Sequence, residues 1–195
     1  VSIPDHVDWE FGTGDFTIEF QLNFNSTTTG AIIGLMENGR VDVDGWAIRY
    51  NSSAARLDFN TAAATQIYAS WTPATSTWYH VAVSRASGVF RLFINGSALT
   101  LTTNNNPATA ISNSASAMRI GNDTIGGVSL NGFMDEVRIS SKALYTSNFT
   151  VETSAFSKVY HPVFEIKNAT STETLVPDSN VESIGVDSWH HVMIS

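Results

Sequence analysis

Nine residues, Phe16-Thr-Ile-Glu-Phe-Gln-Leu-Asn-Phe24, carry an apolar side chain at every second position and a polar one between. A period of two is the pattern of a strand with one face in a core and the other facing out. Residues 31–36 form a short, almost wholly apolar run, as in a strand covered on both faces. Residues 46–50, 56–59 and 66–69 alternate more weakly and are divided by Asn, Ser and Ala-Thr stretches. Trp78-Tyr-His-Val-Ala-Val-Ser-Arg85 and Val89-Phe-Arg-Leu-Phe-Ile94, joined at Ala86-Ser87-Gly88, predict a hairpin. Asn95-Gly96 readily takes positive φ and predicts a further turn into residues 97–101. The polar run 102–117 predicts a surface loop, after which Met118-Arg-Ile-Gly121 restores a strand. Ser, Thr, Asn and Gly are abundant and helix formers sparse, so the expected class is all-β: an antiparallel two-sheet sandwich.

The net charge of −8 opposes extended contact with a phosphate backbone, which needs clustered Lys and Arg; nucleic acid is excluded as a partner. The cations are scattered singly (Arg40, Arg49, Arg56, Arg85, Arg91, Arg119, Arg138), which reads as one per strand on the solvent face. No apolar run approaches the roughly 20 residues that span a bilayer, so no membrane insertion is expected. Without cysteine, stability must come from packing and, at most, from a hard cation held through oxygen. A chain opening on Val1 reads as a processed or partial product.

The segment Leu130-Asn-Gly-Phe-Met-Asp-Glu-Val-Arg-Ile-Ser-Ser-Lys-Ala-Leu-Tyr145 resembles the closing strand of laminin-G-like, concanavalin A-like jelly rolls, which reads G-x-(I/L/M)-D-E-(V/L)-R-I before a turn with a small residue, Leu and Tyr. The Trp78–Arg85 and Phe90–Gly96 block resembles the central hairpin of laminin-G-like and pentraxin-like domains. The resemblance implies a jelly roll over residues 1–156, its first strand missing because Val1-Ser-Ile-Pro-Asp5 matches the family's second strand. Ser188-Trp-His-His-Val-Met-Ile-Ser195 overlays Thr77-Trp-Tyr-His-Val-Ala-Val-Ser84, so residues 157–195 are expected to be a partial second unit or a discontinuous segment. The ending Ala143-Leu-Tyr-Thr-Ser-Asn-Phe-Thr-Val-Glu-Thr-Ser-Ala-Phe156 is similar to that of laminin-G-like modules in bacteriophage virion proteins.

Candidate site residues each have a plainer reading. In related jelly rolls the Asp opening the closing strand often helps hold a structural calcium, which singles out Asp135; its alternative is an acceptor for backbone N–H at a strand start. Asp42-Val-Asp44-Gly45 has the look of a calcium loop, but Arg40 and Asn51 stand where an EF-hand needs ligands, and a polar hairpin turn is the stronger reading. Asn122-Asp123 is a candidate ligand or metal rim by family analogy, or ordinary turn chemistry. Sugar recognition calls for an aromatic face beside amides or carboxylates; Trp71, next to a turn, is the candidate platform or else edge packing, while Trp78 and Trp189, within strand motifs, are assigned to the core.

For catalysis, glycosidases that share this sandwich place two Glu around an Asp on one strand. No such run occurs here: Glu19 stands alone on its strand, and Asp135 and Glu136 alternate to opposite faces. His80 and His191 recur in the repeated strand and read as structural, so no enzymatic activity is expected. The expected function is a non-catalytic glycan-binding, adhesive or structural module of a phage tail fibre or capsid decoration, part of a larger multi-module oligomer at a virion surface or outside the cell. Its partners are surface glycans or other virion subunits, with calcium as a candidate structural ion. The alternatives are a carbohydrate-binding module of a secreted bacterial protein or enzyme, and a purely architectural subunit-contact module.

Overall fold

A computed structural model describes residues 1–35, 44–61, 66–104, 110–122, 130–153 and 188–189. The strands are β1 (Ser2–Ile3), β2 (Phe16–Phe24), β3 (Gly30–Leu35), β4 (Trp46–Asn51), β5 (Arg56–Thr61), β6 (Gln66–Ser70), β7 (Trp78–Ala86), β8 (Val89–Ile94), β9 (Ser97–Ala98), β10 (Thr103–Asn104), β11 (Met118–Ile120), β12 (Gly132–Ser140) and β13 (Ser188–Trp189), with a 3-10 turn at Val7–Trp9. They form a seven-stranded sheet, β1-β11-β3-β4-β5-β6-β10, and a six-stranded sheet, β13-β12-β2-β7-β8-β9. The alternation in β2 does what its period dictates: Phe16, Ile18, Phe20, Leu22 and Phe24 are all buried. They meet the inner side of the other sheet through ring contacts such as Phe16 with Phe59 at 5.7 Å and Phe24 with Tyr50 at 5.4 Å. Each large side chain so buried contributes about 1.5–3 kcal/mol, which is what holds the two sheets face to face.

The turns are equally chemical. Ala86 pairs with Val89 across Ser87-Gly88, and Ile94 pairs with Ser97 across Asn95-Gly96. All four turn residues have positive φ, the two-residue hairpin geometry whose twist suits the flanking strands.

Three sequence expectations are corrected. Arg85 does not face solvent. It occupies the inward row of β7 opposite Phe16, is 0% exposed, and lies between the rings of Phe16 and Phe90 at 5.1 and 5.4 Å. Its guanidinium donates to the carbonyls of Phe11 at 3.2 Å and Gly12 at 2.8 Å, and from Nε to that of Gly14 at 2.7 Å, fastening the loop ahead of β2. Burial pulls its pKa down, against the nearby charge of Asp15. The run 102–117 is also more than a surface loop: Thr103 and Asn104 pair with β6, and Ile111 bonds Gly12 and is buried in the core.

Third, the alternation of β12 is broken. Asp135 pairs with Gln21 and Arg138 with Glu19, so Glu136 and Val137 together oppose the single Phe20, with Glu136 at φ +50°. This bulge switches phase. Met134 and Val137, three residues apart, both reach the core, and Arg138 is delivered outward onto Glu19. Simple alternation of Asp135 and Glu136 to opposite faces therefore does not hold through this point. Within residues 157–195, Ser188 and Trp189 pair with Ile139 and Arg138, and the rest, His191 included, lies outside the described residues.

Candidate functional site

The outer side of the six-stranded sheet is built from the polar half of the β2 pattern: Thr17, Glu19, Gln21 and Asn23. After β12 the chain folds back over the first two. Thr17 Oγ1 donates to the Lys142 carbonyl at 2.8 Å and accepts from Leu144 N–H at 2.9 Å. Tyr145 and Phe149 stack at 3.5 Å, and Phe149 meets His80 and Phe93 edge-on. Phe149 N–H donates to the Gly96 carbonyl at 2.9 Å, and Ala98 N–H to Asn148 Oδ1 at 2.9 Å. A Cβ on Gly96 would stand 2.0 Å from the Phe149 carbonyl oxygen, so only glycine lets the segment dock there.

Under this clasp Glu19 is 0% exposed. It pairs with His80 Nε2 at 2.9 Å, accepts from the Tyr145 hydroxyl at 2.8 Å, and is bonded by Arg138, whose Nη2 also donates to the Tyr145 hydroxyl at 3.1 Å. Burial alone would raise the Glu19 pKa, but the hydrogen bonds from His80 and Arg138, the Arg138 charge and the Tyr145 bond together hold it below the usual 4.5. Burial, with Glu19 beside it, pushes the Tyr145 phenol up. A carboxylate sealed and carrying three partners is a structural knot. The sequence offered one clue to it: Arg138 and Tyr145 belong to the closing motif, which pairs with β2.

The other half of the same face is exposed at its two flanking aromatic side chains. Phe133 on β12, Asn23 on β2 and Trp78 on β7 lie in register across three adjacent strands. Trp78 is 49% exposed and Phe133 39%, among the most exposed large apolar side chains of the described residues. Assignment of Trp78 to the core is thus corrected: Tyr79, Val81 and Val83 face inward, which turns Trp78 outward with His80 and Ala82. Neither Asn23, 8% exposed, nor Gln21 in the next row has a side-chain hydrogen-bond partner among the described residues. Asp135 sits opposite Gln21. A Cβ on Gly132 would fall 2.1 Å from the Asn23 carbonyl oxygen, so glycine is what allows β12 to close on β2 beside Phe133.

Trp71 is half-buried and makes the edge packing of its alternative reading. It packs edge-on against Tyr50 at 5.8 Å and Tyr79 at 5.3 Å, and so braces β7 from the core side one residue from Trp78. Asp44 precedes β4, beyond the Met118 end of the seven-stranded sheet, while Asn122 follows β11 at the opposite end; the two are not brought together, and Asp42 and Asp123 lie outside the described residues. Asp135 takes its plainer role toward a neighbouring backbone group, with Oδ1 accepting from Glu136 N–H at 2.8 Å. Among the described residues no three His, Cys, Asp or Glu converge as metal ligands. A cleft of about 360 Å³ near Asp8, Glu10 and Asp15 has carboxylates but no further feature that points to a ligand.

The family model described as the concanavalin A-like lectin/glucanases superfamily matches residues 1–148. The chain belongs to that family, of laminin-G type. No match to a curated protein was found. Solved structures of similar fold include a proposed carbohydrate-binding protein from Bacteroides ovatus (18% identity, TM-score 0.55, covering 72% of this chain and 42% of that one). Mouse laminin alpha1 domains LG4-5 give 13% identity and TM-score 0.52, covering 75% and 44%. Domain 4 of AbnA, an extracellular GH43 arabinanase from Geobacillus stearothermophilus solved with arabinotriose, gives 18% and 0.54, covering 74% and 67%. The chain therefore spans less than half the length of the first two. Among the described residues no helix is long and apolar enough to cross a membrane.

Proposed function

We propose that this chain is a non-catalytic carbohydrate-binding module of an extracellular protein, and that it holds its glycan on the Phe133–Asn23–Trp78 row. One observation carries the reading: two carboxamides without side-chain hydrogen-bond partners among the described residues, Asn23 and Gln21, lie beside two exposed aromatic side chains. A sugar offers an apolar C–H face and a rim of hydroxyls; aromatic rings cover the first, and an amide answers the second as donor and acceptor at once. The non-catalytic part is supported by Glu19, whose carboxylate is sealed away from any substrate.

A virion location draws on the ending at residues 143–156 alone. The bacterial carbohydrate-binding and extracellular arabinanase relatives lend their weight to a secreted module. A structural calcium at Asp135 likewise rests on family resemblance. The test is a glycan array probed with the wild-type chain and Trp78→Ala, with and without chelator. The reading requires glycan signals that fall about tenfold or more in the variant, equivalent to about 1.4 kcal/mol. Signals unaffected by the substitution would remove the site. Calcium requires a lower melting temperature in chelator, restored by added calcium; an unchanged melting temperature eliminates it.

A further inference from the structure

The shape of the open face says more about the ligand than that it is a sugar. Resting on the glycan reading above, we infer that the row takes a linear, uncharged oligosaccharide laid across strands β12, β2 and β7, with separate sugar rings on Phe133 and Trp78 and the Asn23 carboxamide between them. Phe133 and Trp78 are two strand spacings apart, about 9.5 Å. That is wider than one sugar ring, so a monosaccharide engages one aromatic and a longer chain engages both.

The direction is set by the clasp. Along β2, Glu19 stands two residues before Gln21 and already lies under Tyr145, while Phe149 packs on His80. A chain running along the strands meets that wall roughly 7 Å past Gln21, whereas one running across them meets none among the described residues. Charge sets the class. Asp135 flanks Gln21, Arg138 is held by Glu19 and Tyr145, and Arg91 and Lys142 belong to the far end of the sheet. With no cation at the row among the described residues to pair with a carboxylate or sulfate, and a net charge of −8, acidic sugars are disfavoured.

Calorimetry on the full chain decides it, using linear oligomers of glucose, mannose and arabinose from one to four units, with oligogalacturonates as the acidic probe. The expected result is at least one neutral series whose affinity rises tenfold or more between one and three units. Phe133→Ala should remove that rise while sparing the shortest binder, Trp78→Ala should weaken all lengths, and Trp78→Phe should restore part. Equal affinity for one and three units, or tighter binding of the oligogalacturonates, overturns the inference and leaves the glycan reading standing. Binding of none of these sugars, or none of the array, overturns both. So does self-association that Trp78→Ala abolishes, because the row would then be covered by a second copy. Melting curves of the variants confirm that each is folded.

Discussion

Two halves of one strand face carry the same kind of residue and have opposite fates. Thr17 and Glu19 point outward from β2 and are completely buried under bonded partners, whereas Gln21, half-buried, and Asn23, 8% exposed, point outward from the same strand with no side-chain hydrogen-bond partner among the described residues. Nothing local distinguishes them. The difference is laid on from above by the segment bearing Tyr145 and Phe149, which seals one half and stops short of the other. A polar outward position in a strand is therefore a structural group where a distant segment covers it, and keeps its hydrogen-bonding capacity where none does.

The strongest way to break this contrast is to remove the knot. Glu19→Ala leaves His80, Arg138 and Tyr145 around an empty acceptor position and should cost about 3–5 kcal/mol in urea unfolding. Gln21→Ala, two residues on, should stay within about 0.5 kcal/mol. A similar loss at both positions would erase the distinction. Acid sharpens it. The folded Glu19 pKa lies below its unfolded value near 4.5, so its stabilisation is fully present above that pH and is lost as pH falls through the lower folded value. Stability of the wild type should therefore decline below pH 4.5 more steeply than that of Glu19→Gln.

The clasp can also be loosened without touching the knot. Phe149 stacks on Tyr145 and abuts Phe93 and His80, so Phe149→Ala should cost about 2 kcal/mol and speed proteolysis after residue 140. Proteolysis at the wild-type rate would mean that the Phe149 backbone bond to Gly96 and the Asn148 side-chain bond to Ala98 hold the segment by themselves.

What could be read beforehand follows from how local each signal is. The β2 alternation, the Ser87-Gly88 and Asn95-Gly96 turns and the existence of the closing strand depend on neighbours in sequence, and they were legible; that the closing strand pairs with β2, more than 100 residues away, was not. Arg85 and Trp78 were legible in principle. Their parity along β7 puts Arg85 with Tyr79 and Val83 inside and Trp78 with His80 outside, but a bias toward charged-out and tryptophan-in overrode the period. The burial of Glu19 was not legible, because Tyr145, which covers it, lies 126 residues away. Nor was the β12 bulge, which places a glutamate at positive φ where glycine is the usual signal.

The smallest expected effect bears hardest on function. Trp78 is half exposed, makes no ring stack with another aromatic among the described residues, and projects from the wet side of its strand. Its removal forfeits little burial, so Trp78→Ala should change the unfolding free energy measured in urea by no more than about 0.5 kcal/mol. Trp71, on the opposite side of the same strand and wedged between Tyr50 and Tyr79, should cost several times that when truncated to alanine. If Trp78→Ala instead destabilises as much as Trp71→Ala, then Trp78 is packing in disguise, and any loss of sugar binding in that variant reports on the fold. If it is silent in stability, the fold does not need this side chain, and any loss of sugar binding in the variant reports on the site itself.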